Sequence, residues 1–522
     1  MSGPDPGTLY YGDCLDWMSQ WDGETVDLIY LDPPFNSKTD YNVLYSTEGE
    51  TAQFQAFSDT WSWDAAAAER LERFEGGAGK LAHDVIVGLD RMLGPSGMLA
   101  YLTYMAERLE HMHRLLKPTG SIWLHCDPTA SHYLKAVMDA IFGAANFRNE
   151  IVWKRTSAHS DAAILGAVHD TILLYSKSAN CTYNRQTTPY SDEYVQQRYK
   201  RADPDGRRWM DGDITAKGLS GGGYDYEYKG VCSLWRVPPE RMAALDGENR
   251  LHFTAKGGIR IKRYLDEMAG LPLADVWTDV SPINSQAGER LGYPTQKPTA
   301  LLERIVKASS NPGDLVLDPF CGCGTTIDAA RRLNRRWAGI DISSFAVDLI
   351  IKRRLQGAAV STKGIPTDLA SARKLAREQP FNFESWAVTR LPGFAPNTKQ
   401  VGDGGVDGRG MLSVKPDDFD SRLALAQIKG GKFGISPFRD FIGVTNRDKA
   451  AIGCYVTLDS TGTPASKIDM LKAGRIKVGG QAYPRVQLWP ISHYFENRMP
   501  NLPPMNDPYS GKPMQPSLGL FA

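Results

Sequence analysis

Cysteine is scarce in this 522-residue chain: there are seven, an odd number, and none stands in C-x-x-C spacing. That removes a disulfide framework and an ordinary zinc site, and it favours a reduced compartment. No apolar run approaches membrane-span length, and the N-terminus lacks a basic-then-apolar signal pattern. A soluble, cytoplasmic chain with no membrane contact is therefore expected. Sixty basic and sixty acidic residues cancel, so a surface for a polyanion would have to be a local patch, not a global field. A full G-x-G-x-x-G is also missing, and with it the helix start that binds a pyrophosphate. The length does exceed one ordinary core, so two or three domains are expected.

The first informative stretch is Asp32-Pro33-Pro34-Phe35, at the end of the apolar run Val26 to Leu31. A strand delivers a carboxylate, two prolines and an aromatic. These residue types suit the exocyclic amino group of a nucleic-acid base, whose lone pair is delocalised into the ring. Asp32 and the Pro33 carbonyl can accept its two hydrogens, push the nitrogen towards tetrahedral geometry and aim the lone pair at an electrophile. The prolines, Pro34 included, fix the chain and remove competing N–H donors. Phe35 can stack on a base taken out of its helix. Read blandly, the same residues are a strand entering a proline turn.

A second stretch narrows the choice. Asp314 to Asp318 is a short strand entering the turn Pro319-Phe320-Cys321-Gly322-Cys323-Gly324. A helix (Ile327 to Leu333) and a second strand ending at Asp341 follow. This is the strand–turn–helix–strand–acid layout of one nucleotide-binding half of a Rossmann-like sheet. Gly322 and Gly324 allow close backbone approach, and Asp341 is placed to accept from ribose hydroxyls. Cys321 and Cys323 read as small packing residues in that turn. A cofactor with an adenosine end and no phosphate fits, which points to S-adenosylmethionine.

With both stretches in view, the chain resembles the β-class DNA amino-methyltransferases (adenine-N6 or cytosine-N4). The catalytic motif precedes the cofactor motif, the circularly permuted order, and the resemblance covers roughly the first two-thirds of the chain. It implies a Rossmann-like α/β methyltransferase over 1–179 and 286–355, with a target-recognition region inserted at 180–285. It further implies that Asp318, Phe320, Gly322, Gly324 and Asp341 hold the cofactor. Within Tyr293 to Pro298, which would cover the methionine end, Thr295, Gln296 and Lys297 would contact its carboxylate. Asp13, after Gly12, would lie beside the adenine; an N-cap role fits it equally well.

Between the motifs, Asn36, Tyr41, Trp61, Trp63 and Asp64 read as a mobile loop over the site, or as loop anchors. Helical periodicity over 98–118 leads to a strand at Ser121 to His125, a helix at Ser131 to Phe142, and strands at Glu150 to Trp153 and His169 to Tyr175. His125 and Asp127 read as pocket wall in preference to catalytic groups. From 180 to 285, Arg198, Lys200, Arg201, Arg207, Arg208, Lys217, Lys229 and Arg236 interleave with Tyr199, Trp209, Tyr224, Tyr226, Tyr228 and Trp235. Glycine turns at 218–223 intervene. That pattern suits phosphate contacts with base-edge readout.

Residues 356–378 read as a linker. Beyond them come Phe383-Glu384, a glycine-rich turn from Gly402 to Gly408 carrying Asp407, and the alternating strand Leu423 to Lys429, which presents Gln427 and Lys429 on one face. An acid followed by Q-x-K suits metal-assisted phosphodiester cleavage: Asp407 and Gln427 on Mg²⁺, Lys429 polarising the attacking water. These residues resemble the Mrr-type branch of the PD-(D/E)xK nucleases, and Glu384 corresponds to that branch's helix-borne glutamate. A C-terminal α/β nuclease-like domain over 379–500 and a tail at 501–522 are therefore expected.

The combined expectation is site-specific methylation of double-stranded DNA with base flipping, at adenine N6 in preference to cytosine N4, and a fused endonuclease of restriction–modification type. The alternatives are an N4 or orphan methyltransferase with an inert nuclease-like domain, and a catalytically silent DNA-binding protein. Oligomeric state is left open, a homodimer included.

Overall fold

The computed structural model describes residues 2–34, 40–47, 50–58, 61–75, 81–157, 165–216, 222–284, 287–291, 293, 295–397, 405–508 and 511–514. The chain divides into two units, 1–184 with 275–522, and 185–274.

The larger unit is built on nine strands. In chain order they are β1 (Thr8–Tyr11), β2 (Val26–Leu31), β3 (Leu116–Cys126), β4 (Phe147–Lys154) and β5 (His169–Ser176), then β6 (Val276–Trp277), β7 (Leu315–Asp318), β8 (Arg336–Asp341) and β9 (Ser361–Lys363). In space they run β6-β4-β5-β3-β2-β7-β8-β1-β9. All neighbours are parallel except β5, which is antiparallel to both β3 and β4. Burial on both faces explains why β2 and β7 are near-continuous apolar runs. The helix Gly97–Leu115, capped by Ser96, buries Leu99, Leu102, Met105, Leu109 and Met112. Asp127 caps the helix Pro128–Phe142 by accepting from Thr129 and Ala130 N–H groups.

The seam that matters for chemistry lies between β2 and β7. Strands from distant parts of the chain meet there, with Val316 opposite Leu28 and Leu317 opposite Ile29. In open α/β sheets such a switch point leaves a crevice at the carboxyl ends of the strands, where ligands bind.

The C-terminal part has its own five-stranded sheet: β10 (Phe394–Pro396), β11 (Gly408–Met411), β12 (Leu423–Lys429), β13 (Ile452–Thr457) and β14 (Val486–Pro490), adjacent in that order. The first three are antiparallel and the last three parallel. The helix Ile435–Arg447 covers it through Phe438 and Phe441, packed on Tyr455.

Two expected boundaries change. The stretch 356–378 is not a bare linker: β9 extends the nine-stranded sheet beside β1, and Leu369–Glu378 is a helix with an Asp368–Ser371 capping box. Small polar residues there concealed an edge strand, which needs backbone pairing but no apolar face. The expected tail also packs in part, since Asn506 N–H donates to the Met411 carbonyl and Asp507 pairs with Arg353 at 2.6 Å. The C-terminal part is tied to the nine-stranded body at further points. Tyr11 donates to the Asn382 carbonyl at 2.6 Å, and Arg390 pairs with Asp348 at 2.5 Å. The Arg390 side chain is only 8% exposed. Asp348→Ala would leave that guanidinium only the Thr389 and Tyr494 hydroxyls, and a loss of up to about 3 kcal/mol is expected, read as a lower thermal unfolding midpoint.

The smaller unit has its own core of Ile214, Trp235, Met242, Leu245, Leu251 and Ile259. A four-stranded sheet and the hairpin Tyr224–Tyr228/Val231–Trp235 surround it. None of the helices among the described residues is long and apolar enough to cross a membrane.

Candidate active sites

Asp32 sits one residue past the end of β2, in the β2/β7 crevice. Its Oδ2 accepts from Lys297 Nζ at 2.6 Å, across 265 residues of sequence. Its Oδ1 is buried and has no hydrogen-bond partner among the described residues. An orphaned buried carboxylate oxygen costs on the order of 1–3 kcal/mol or more, so a donor is wanted at that point. Pro33 is buried and Pro34 half-buried beside it, while Phe35 and Asn36 lie outside the described residues.

Across the seam, Asp318 ends β7. Its Oδ1 accepts from the Phe320 N–H at 3.1 Å, and Phe320 packs on the core. Asp341 ends β8 and accepts from Gly322 N–H at 2.7 Å and Ser343 N–H at 2.8 Å. Gly322 and Gly324 both take left-handed backbone angles, φ +49° and +74°. At Gly324 a Cβ would stand 2.7 Å from Ile350, so glycine is required twice over. Burial pushes the Asp318 carboxyl up to about 7, and the charges of Asp32 and Asp341 push the same way, against hydrogen bonds from Thr326 and the Phe320 N–H. Burial likewise pushes Asp341 up to about 6, against the Ser343 and Gly322 N–H groups. Carboxylates at this turn repel a phosphate and attract a cation.

The pH consequence has a definite sign. The folded state holds the Asp318 proton more tightly than the unfolded chain does. The resulting stability is complete below about 3.9, the unfolded value, and is lost as pH rises to about 7. Asp318→Asn removes this titration. It is expected to flatten the fall of the melting temperature across that window and to leave the cofactor-free variant more stable than the parent above it.

Several expected cofactor contacts are engaged otherwise. Asp13 caps the helix Cys14–Ser19 by accepting from Leu15 N–H, and both its oxygens meet Arg108 at 2.7 and 2.5 Å. The capping reading is therefore the one the geometry favours. Gln296 closes its own loop, accepting from Leu291 N–H at 2.8 Å and donating to the Glu289 carbonyl at 2.6 Å. Lys297 faces Asp32, and Thr295 stands half-buried in the preceding turn. The Lys297–Asp32 pair had no signal in the sequence, since neither motif refers to the other. His125, expected as pocket wall, bridges Tyr30 Oη and Asp170 Oδ2, both at 3.0 Å, in a buried chain. Burial alone would raise the Asp170 carboxyl; the His125 hydrogen bond, with the charges of His125, Lys297 and Arg155, holds it below the usual range.

The expected loop after Asp32 contains two paired strands, Asp40–Thr47 and Glu50–Ser58. Trp61 is an anchor, its ring 4.8 Å from that of Tyr104. In the smaller unit half of the apparent basic patch is neutralised from within. Arg207 pairs with Asp266 and Glu267, Arg236 with Asp213, Lys229 with Asp246 and Arg201 with Asp211. Tyr199, Trp209 and Trp235 are buried, so they build the core and do not face solvent. Arg198 and Lys200 remain exposed, without a carboxylate partner among the described residues. Lys217 and residues 218–221 lie outside the described residues.

In the C-terminal sheet Asp407 precedes β11 and is fastened to β12. Its N–H donates to the Ala426 carbonyl at 2.9 Å, and its Oδ2 accepts from Ile428 N–H at 2.6 Å. Gln427 and Lys429 share one face of β12, both half-buried. Gln427 Oε1 is buried with no hydrogen-bond partner among the described residues, an acceptor suited to a hard cation. Glu384 lies on the helix Pro380–Thr389, whose Phe383 packs over Gly430 at the end of β12. Among the described residues no cluster of three His, Cys, Asp or Glu could hold a metal. Gln427 would thus have to complete the shell. Gly402, Asp403 and Gly404 lie outside the described residues.

The strand order and the acids at the ends of β2, β7 and β8 define a Rossmann-like α/β domain with carboxylates at its switch point. The chain belongs to the DNA methylase family of N6/N4 type, whose model matches residues 26–352, from β2 to beyond β8. It is 34% identical over 281 residues to type II methyltransferase M.EcaI of Enterobacter cloacae, covering 53% of this chain and 62% of that protein. It is 31% identical over 334 residues to the Mod subunit of the type III restriction-modification enzyme StyLTI of Salmonella typhimurium, covering 60% of this chain and 48% of that protein. The chain thus spans about half to three-fifths of these curated relatives. PvuII DNA methyltransferase (cytosine-N4-specific) is a solved structure that aligns at 15% identity and TM-score 0.34, covering 69% of this chain and 89% of that one. The fold assignment rests on the strand order, not on that alignment.

Proposed function

We propose that this chain transfers a methyl group from S-adenosylmethionine to the exocyclic amino group of a base in double-stranded DNA, adenine N6 in preference to cytosine N4. We infer further that its C-terminal sheet is a Mg²⁺-dependent DNA endonuclease, the two activities forming one restriction–modification protein. The observation that carries the first reading is Asp32: one oxygen is held by Lys297 and the other is buried with no hydrogen-bond partner among the described residues.

S-adenosylmethionine, when bound, supplies a methyl group on a positively charged sulfur. Asp341 would accept from the ribose hydroxyls, and Asp318, whose Oδ1 accepts from the Phe320 N–H, would help hold the cofactor by fixing that turn. Asp32 Oδ1 and the Pro33 carbonyl would accept the two amino hydrogens of a base flipped into the crevice. With both hydrogens held, the nitrogen lone pair would be turned out of the ring towards the methyl donor, and Asp32 Oδ1 would take up the proton that the amino group gives up. An acid at the first motif position supports adenine, since many cytosine-N4 enzymes of this kind carry serine there. Arg198 and Lys200 are the phosphate contacts favoured by their exposure.

For cleavage, Asp407 and Gln427 would hold the metal, Lys429 would polarise water, and Glu384 would support the site from its helix. One observation favours an inert C-terminal site instead: Asp407 Oδ2 already accepts from Ile428, and no three-ligand cluster surrounds it among the described residues. The deciding experiment incubates the protein with unmethylated and adenine-methylated plasmid and Mg²⁺, with and without S-adenosylmethionine. Strand breaks and modified bases are both read by sequencing. A defined methylated motif plus cutting of one plasmid state is expected. Methylation without cutting would reduce the C-terminal part to a DNA-binding domain, and neither activity would leave a silent DNA-binding protein.

A further inference from the structure

We propose that Lys297 is a positioning residue for methyl transfer, holding Asp32 so that a single carboxylate oxygen faces the target amino group, and is not a ligand of the cofactor's carboxylate. This rests on the reading of Asp32 as the amino-group acceptor. Lys297 Nζ meets Asp32 Oδ2 at 2.6 Å, with the side chains 11% and 16% exposed. A pair this buried adds little stability, because desolvating both charges cancels most of their attraction. Its geometric effect is larger. The carboxylate cannot turn about its Cβ–Cγ bond without breaking the ion pair, so Oδ1 stays the oxygen with no hydrogen-bond partner among the described residues.

The lysine is itself braced from both sides. Gln296 bonds to Glu289 and Leu291 on one flank. On the other, the Glu289 carboxylate accepts from the Thr299 N–H at 3.0 Å and hydroxyl at 2.6 Å, at the start of the helix Thr299–Ser309. The bonds made by Glu289, Gln296 and Thr299 thus flank Lys297 and hold its ammonium on Asp32 as a peg. Its charge also helps hold the Asp170 carboxyl below the usual range, so a second acid lies within electrostatic reach of the ammonium. A methionine carboxylate placed there would meet both acids.

The test compares Lys297→Met and Lys297→Arg with the parent and with Asp32→Ala, using saturating duplex DNA and varied S-adenosylmethionine. Cofactor binding is measured separately by calorimetry. For Lys297→Met, kcat is expected to fall about 10²-fold, the loss that follows a misplacement of about 1 Å. KM and Kd for S-adenosylmethionine should stay within about twofold, and Lys297→Arg should recover at least about tenfold of the loss. A raised cofactor KM and Kd with unchanged kcat would overturn the proposal in favour of a cofactor ligand, as would an unchanged kcat with both constants unmoved in favour of no role. Should Lys297→Met fail to fold, Lys297→Gln and Lys297→Arg carry the same comparison. If Asp32→Ala methylates at the parental rate, it is the reading of Asp32 that fails, whatever Lys297→Met does.

Discussion

Asp32→Ala is expected to lower methyl transfer about 10²–10⁴-fold, the range for removing a group positioned on a reacting proton. The loss should fall on kcat, with S-adenosylmethionine affinity nearly unchanged, because on the proposed reading Asp32 meets the base and not the cofactor. The variant also leaves Lys297 without its 2.6 Å partner. A melting curve on the same preparation separates that cost from the chemistry. Asp32→Asn should fall between parent and alanine, since an amide oxygen still accepts, though more weakly than a carboxylate. Parental turnover in Asp32→Ala, measured by methyl incorporation into duplex DNA, would remove the assignment.

Asp407→Ala and Lys429→Ala should each abolish cutting, by about 10²–10³-fold or more, while methylation persists. The separation is expected because Asp407 and β12 belong to the C-terminal sheet, whereas Asp32 and Asp318 belong to the nine-stranded one. Chelating Mg²⁺ should reproduce the cleavage loss without touching methyl transfer. Gln427→Ala should weaken metal dependence first, raising the Mg²⁺ concentration needed for half-maximal cutting. Unchanged cutting in Asp407→Ala, scored as linearised plasmid, would show that the C-terminal acid is not a metal ligand.

The amino acid sequence determined what depends on neighbours along the chain. Val26 to Leu31 and Leu315 to Asp318 are read as strands because both faces of a central parallel strand are buried. The acids after them fall at carboxyl ends for the same local reason. Gly322 and Gly324 announce a left-handed turn through their residue type alone. Tertiary structure decided what depends on partners far away. Lys297 finds Asp32 only because the sheet places β2 beside β7. Asp13 is taken up by Arg108 from a helix that no local pattern connects to it. The basic stretch in the smaller unit loses half of its free charge to Asp211, Asp213, Asp246, Asp266 and Glu267, and Ser361 to Lys363 become an edge strand through pairing with β1. Backbone propensity and burial pattern are short-range properties that a sequence carries on its face. Ion pairs and edge pairing are set by topology, which brings together residues hundreds of positions apart.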